Sequence, residues 1–302
     1  MQIGFIGLGK MGLAMATRGV KGGHDLIALD HSQAARDQAQ ERGIKTVASL
    51  TELLEALSIP RVIWLQTPPG EPTQSLIHEL SKTVDQGDII VDAGNSDFRD
   101  TKKNADYFAD LGINFVDAGV SGGVSGAKNG CGLLVGAKPD LYDKLTPFFD
   151  SLAAPNGYCL CGDTGAGHYS KTIHNGVEYA LMQAYAEGYE MLISSDIKVD
   201  VLTVMQAYQG GCSIRSHLLS KVIEALEPDP TLNSIEGYVA DSGMGRWTVE
   251  EAIKLKVPTP TITAALQARF RSQQEDSPQM QCLAALRGAI GGHPVKRKGA
   301  AK

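Results

Sequence analysis

Positive charge is scarce in this chain. Across 302 residues, 28 Lys and Arg stand against 34 Asp and Glu, a net charge of −6. Duplex-binding surfaces need a basic domain, so nucleic acid is not an expected partner. The one basic run, Lys296-Arg297-Lys298, reads as a solvated tail. Long apolar runs are missing too. No stretch approaches the ~18 residues of a membrane span, so no membrane partner is expected. The N-terminus opens on an apolar strand rather than the charged and apolar regions of a signal peptide, and the expected location is cytoplasmic. Cysteine is sparse and odd in number: Cys131, Cys159, Cys161, Cys212 and Cys282. That pattern suits a reducing compartment. Cys159 and Cys161 form a C-x-C pair with no further ligand nearby at metal spacing. They are expected to be buried strand residues, and no metal is expected. There is no Gly-x-y period, no Gly/Ser tract and no internal repeat of useful length.

Glycine is in excess. The chain has 34, about 11% against an average near 7%. They cluster early, between Gly4 and Gly23, and again between Gly94 and Gly136. Glycine gathered at particular turns marks backbone that must come close to something.

Short apolar runs read as strands at Ile3–Leu8, Asp25–Leu29, Arg61–Gln66, Asp88–Val91 and Asn114–Ala118. Helical sequence lies between them, which implies βαβ units and a parallel sheet. Gly132–Val135 and Tyr158–Leu160 read as further strands around a helix over Asp140–Leu152. Ser32 is placed to cap a helix running to Arg42. The alternation then stops. Gly165 to about Ser194 has a continuous helical composition, and helices punctuated by Gly and Pro continue to His293. The expected architecture is an α/β Rossmann-like dinucleotide-binding domain over 1–163. An all-α substrate and oligomerisation domain follows over 164–302, with a long inter-domain helix.

Gly7-Leu8-Gly9-Lys10-Met11-Gly12 is G-x-G-x-x-G, placed after a strand and opening a helix. The glycines make the turn, admit a pyrophosphate and pack helix on strand, while the helix N-terminus offers N–H groups. Asp30 ends the second strand eighteen residues past Gly12. An acid there accepts from ribose hydroxyls and repels a 2′-phosphate, which favours NAD over NADP. Nearby His31 and Arg36 leave NADP as a weaker alternative. Thr67 follows the Arg61–Gln66 strand, on the cofactor side of the sheet. Asp92-Ala93-Gly94-Asn95-Ser96 follows a strand end, where open parallel sheets bind ligands. Ser121-Gly122-Gly123 follows another, and its hydroxyl and backbone donors suit a carboxylate.

Lys171, His174, Asn175 and Glu178 fall at i, i+3, i+4 and i+7, on one helical face. Val177, Leu181 and Ala184 lie opposite. The polar set suits acid–base chemistry, since a lysine buried beside a cationic ring loses its proton more readily. It also suits a solvated face with a charge pair.

The stretch Gly165-Ala166-Gly167-His168-Tyr169-Ser170-Lys171-Thr172-Ile173-His174-Asn175-Gly176-Val177-Glu178-Tyr179 closely resembles the signature of the 6-phosphogluconate dehydrogenases. So do Gly94-Asn95-Ser96, Ser121-Gly122-Gly123, Gly211–Ser216, Gly243–Thr248 and Arg287–His293. The length is similar to the short-chain form. The resemblance implies oxidative decarboxylation of 6-phosphogluconate to ribulose 5-phosphate, with a nicotinamide cofactor. It implies that Lys171 serves as base and then acid, and that Glu178 protonates C1. Asn95, His174 and Asn175 would orient hydroxyls, and Ser121, Gly122 and Gly123 would hold the carboxylate. Tyr179, Arg215, Arg246, Thr248 and Arg287 would grip the phosphate. His293 would complete a neighbouring subunit's site in a homodimer or homotetramer. Three positions depart from the long form: Val124 where an acid is common, Arg246 where lysine stands, and Asp30 in place of the NADP pattern. Another β-hydroxy-acid dehydrogenase, of the 3-hydroxyisobutyrate or glyoxylate-reductase type, would share the Rossmann turn and the Lys-x3-Asn helix. It would not need His174, Glu178-Tyr179 or the arginines. A non-catalytic NAD-binding protein would need neither Lys171 nor Glu178.

Overall fold

A computed structural model describes residues 1–298. The chain divides into two compact units, Met1–His174 and the residues from Asn175 onward.

The first unit is built on one eight-stranded sheet. Its strands are β1 (Gln2–Ile6), β2 (Asp25–Leu29), β3 (Lys45–Val47), β4 (Val62–Leu65), β5 (Ile89–Asp92), β6 (Asn114–Ser121), β7 (Cys131–Gly136) and β8 (Ala153–Gly162). They run in the order β3-β2-β1-β4-β5-β6-β7-β8. Helices α1 (Lys10–Lys21), α2 (Gln33–Gln40), α3 (Leu50–Ala56), α4 (Glu71–Leu80), α5 (Phe98–Asp110), α6 (Gly123–Asn129) and α7 (Pro139–Leu152) connect them. Strand alternation splits the core in two. Phe5 and Trp64 pack with Met15, Phe148 and Phe149. Ile63 and Leu65 point the other way, among Leu53, Phe108 and Phe115. Trp64 meets Phe148 edge to face at 5.3 Å. Ser32 caps α2 through Ala35 N, a contact worth about 1 kcal/mol.

Two expectations need correction. The sheet is not wholly parallel, because β7 runs antiparallel to β6. Only the short helix α6 links them, too little chain for the crossover that parallel neighbours require. The longer α7 then returns the chain so that β8 runs parallel to β7. Cys159 lies on β8 as expected, but its thiol is exposed, because β8 is the sheet's edge. Helix α8 (Ala166–Ile193) begins in the first unit and continues into the second, the long inter-domain helix that the sequence implied. Its polar residues Lys171, Thr172 and Asn175 are buried, whereas Val177 is 46% and Leu181 45% exposed. Strand β3 and helix α3 were not legible, being short and half polar.

In the second unit, α8 is followed by α9 (Val201–Gly211), α10 (His217–Leu226), α11 (Met244–Leu255), α12 (Pro260–Ser272) and α13 (Pro278–Gly291). Val201, Met205, Leu219 and Leu226 form a small core, with Tyr185 and Tyr189 packed on it.

One buried histidine ties the start of the chain to α7. His24 Nε2 lies 2.8 Å from Ser151 Oγ and 3.1 Å from Pro147 O, and Nδ1 lies 3.3 Å from the Met1 amino group. Burial and that ammonium hold its pKa below the ordinary 6.5, against the pull of the Pro147 carbonyl. The unfolded chain therefore takes up this proton first as pH falls. Stability from neutral His24 is complete above 6.5 and is lost as pH drops below it. His24→Gln should flatten the fall in Tm between about pH 7 and pH 5.5, read by thermal denaturation. An unchanged slope would assign that acid limb to other groups.

Candidate active site

The first unit carries a glycine turn at the end of β1. Gly7 has φ +102°, where a side chain is strained, and a Cβ there would stand 2.5 Å from Gln66 O. This is why β1 stops at Ile6 rather than Leu8. A Cβ at Gly12 would run into Gly7 O, so helix and turn need both glycines. Gly9 differs: no atom lies within 4 Å of its Cβ position, which leaves this backbone open to approach. Gly9 is also the N-cap of α1 with no side-chain cap, next to exposed Lys10 and half-buried Met11. The Asp30 carboxylate is held beside this turn, accepting from Leu8 N at 2.7 Å and from Ser32 N at 2.8 Å. Arg36 is turned back onto the Asp30 and His31 carbonyls. Thr67 hydrogen-bonds Thr73 at 2.7 Å, and a Cβ on Gly94 would stand 2.6 Å from Thr67 O. Open N–H groups at a helix start, with an acid beside them, fit a dinucleotide.

On the neighbouring strand ends, Asn95 adopts φ 56° and makes two bonds to one residue. Its amide donates to Val120 O at 3.1 Å and accepts from Val120 N at 2.8 Å. This fixes the end of β6, where Ser121 sits. Gly122 and Gly123 follow with φ 110° and 58°, which explains the Gly-Gly pair. Ser121 Oγ lies 3.1 Å from His174 Nε2, and His174 Nδ1 lies 3.1 Å from Lys171 Nζ. When the ammonium donates to Nδ1, Nε2 carries the ring proton and donates to Ser121. Lys171 is only 6% exposed.

The start of α8 is held by a residue that sequence reasoning missed. Asp117 of β6 is fully buried and accepts from Gly165 N and His168 N, each at 2.6 Å. Burial pushes its carboxyl above the ordinary value, against the pull of His168 and these two donors. Glycines let the helix sit this close. A Cβ on Gly119 would lie 2.5 Å from Lys171 Cβ, and one on Gly167 would run into Leu134 O.

The second unit gathers another set. Asn175 Nδ2 is 3.1 Å from Met244 Sδ, and Thr248 is buried against Gly176. Tyr179 Oη lies 3.2 Å from Ser242 Oγ. Arg246 pairs with Asp241 at 2.9 Å. Arg269, which no sequence motif marked, places its guanidinium 3.6 Å over the Tyr179 ring. Glu178 is half-buried on the same helix. Arg215, Arg287 and His293 are exposed.

Residues 2–165 match the family model described as the NAD binding domain of 6-phosphogluconate dehydrogenase, and residues 167–289 match that enzyme's C-terminal domain. The chain belongs to the 6-phosphogluconate dehydrogenase family. A relative from Haloferax volcanii, an NAD(+)-dependent decarboxylating 6-phosphogluconate dehydrogenase, is 39% identical over 300 residues, covering 99% of each chain. A Bacillus subtilis enzyme of the same name is 31% identical over 91% of this chain and 62% of its own. Among solved structures, Plasmodium falciparum 6-phosphogluconate dehydrogenase superposes with a TM-score of 0.83 at 24% identity, over 100% of this chain and 67% of that one. A Mycobacterium tuberculosis 3-hydroxyisobutyrate dehydrogenase gives 0.71 at 21% identity, over 95% and 99%. The fold is thus shared across hydroxy-acid dehydrogenases, and within this family the substrate must be argued from side chains. The N-terminal unit is an NAD-binding domain, and the fold is the Rossmann-like domain with an all-helical successor that the sequence implied.

Proposed function

We propose that this chain oxidises 6-phosphogluconate at C3 and decarboxylates it, yielding ribulose 5-phosphate and CO2. The supporting observation is Lys171, buried and 3.1 Å from His174, on the helix face that also carries Asn175 and Glu178. The nicotinamide cofactor, when bound at the Gly7–Gly12 turn, supplies the acceptor for the hydride from C3. Lys171 takes the proton of the 3-hydroxyl, and His174 holds its Nζ in place. Oxidation leaves a β-keto acid. Lys171 then returns a proton toward the C3 oxygen as CO2 departs, which stabilises the charge developing there. Glu178 delivers a proton to C1 of the resulting enediol. Ser121, Gly122 and Gly123 hold the carboxylate, and Asn95 and Asn175 orient hydroxyls. Tyr179, Arg215, Arg246, Thr248 and Arg287 receive the phosphate, where guanidinium forks give paired contacts. His293 reaches the substrate hydroxyls from a neighbouring subunit.

Purified protein mixed with 6-phosphogluconate and NAD should release NADH and CO2 in equal amounts. Lys171→Met should keep substrate affinity and lower turnover by ~100-fold or more, the usual scale for a general base. Turnover of an unphosphorylated 3-hydroxy acid alone, or a near-normal rate in Lys171→Met, would refute this reading.

Asp30 sets the cofactor choice toward NAD, since a 2′-phosphate would meet a carboxylate anchored to Leu8 and Ser32. Asp30→Ser should raise the ratio of kcat/KM for NADP over NAD at least several-fold. A constant ratio would move the determinant elsewhere.

A second copy of the chain covers the exposed apolar stripe of Val177, Leu181 and Met182. Light scattering should give a mass of two or more chains. A monomer at micromolar concentration would rule this out.

A further inference from the structure

The established family chemistry leaves the C-x-C pair on β8 unused. Cys159 and Cys161 stand two residues apart on the edge strand, so their side chains leave the same face. Their Sγ atoms are 3.7 Å apart, with Cys159 exposed and Cys161 half-buried. The other thiols are arranged differently. Cys131 is buried, and burial pushes its pKa to about 11. Cys212 and Cys282 are exposed but have no second cysteine two residues away.

Three fates are open to such a pair. A direct disulfide must join Cα atoms that extended strand spacing sets ~6.7 Å apart, at the upper edge of what the bond spans. A tetrahedral metal would fit the separation, since two thiolates at ~2.3 Å from one centre stand about 3.8 Å apart. It would also require further protein ligands, and no group of three His, Cys, Asp or Glu suited to a metal occurs among the described residues. A trivalent arsenic centre carrying one organic substituent needs two sulfurs and nothing more.

We propose that Cys159 and Cys161 form a dithiol site for trivalent organoarsenicals. Two arsenic–oxygen bonds of the hydrated arsenical break and two arsenic–sulfur bonds form. Each thiol proton leaves with a hydroxyl as water, and arsenic stays trivalent, so no oxidant takes part. Protonated thiols suit this condensation. Burial and the neighbouring Cys159 push the Cys161 thiol up, although the Ser170 hydroxyl pulls it down. Ser170 belongs to the first turns of α8, one residue before Lys171. The captured group would therefore rest beside the start of that helix.

The test uses phenylarsine oxide and the whole chain, read by intact mass. One phenylarsenic group per chain should survive washing with excess 2-mercaptoethanol and leave with dithiothreitol. Cys159→Ser and Cys161→Ser should each abolish the retained adduct. Cys212→Ser and Cys282→Ser should keep it. Loss of the wild-type adduct to the monothiol wash would overturn the site. So would retention in either Cys159→Ser or Cys161→Ser. The readout needs no turnover, so its outcome is independent of the dehydrogenase reading.

Discussion

The Asp117 carboxylate at the head of α8 is the contact on which the placing of Lys171 and His174 depends. A helix start exposes N–H groups with no partner along the helix. Here two of them, from Gly165 and His168, are satisfied by one buried acid in the middle of the sheet. The cost of burying that charge is visible in its raised pKa. Hydrogen bonds to a charged group are each worth about 1.5–3 kcal/mol, enough to offset part of that cost. Once the first turn is fixed, helical periodicity alone sets the direction of Lys171, and one turn later of His174. Gly119 and Gly167 allow this approach because they add no Cβ between helix and strands.

Glycine excess therefore has separable causes. Gly7 and Gly12 are demanded by close packing and by a left-handed turn, whereas Gly9 is surrounded by open space. Only the last of these leaves room for a group from outside the chain. Around Ser121 and Lys171, Gly122 and Gly123 supply a backbone path, while Gly119 supplies room for a lysine. Composition hinted at approach by something external, yet half of these glycines admit another part of the same chain.

Much of the first unit was legible because its signals are local. The β2 limits, the Ser32 cap and the G-x-G-x-x-G turn are each written within a few residues. The shared helical face of Lys171 and His174 followed from their spacing, and the structure adds the contact between them. Other features depend on partners far along the chain and had no local mark. Asp117 looks like an ordinary strand residue until Gly165 and His168 are folded onto it. Arg269 shows no pattern that would connect it with Tyr179, ninety residues earlier. Which face of α8 is buried stayed open in the sequence, because periodicity identifies two faces but not which one meets protein. Its polar face is the buried one, and an apolar face left outward is unusual for a helix that folds alone.

The paired bonds between Asn95 and Val120 carry a chemical vulnerability. An amide can give and receive at once, whereas a carboxylate at neutral pH can only receive. Hydrolysis of that one side chain to aspartate would leave its size nearly unchanged. It would nevertheless set a negative oxygen against the Val120 carbonyl, where a donor had been. The loop after β5 would then lose its tie to the end of β6 just before Ser121. Slow chemical ageing at a single amide could thus disorganise this end of the sheet without breaking the chain or disturbing its core.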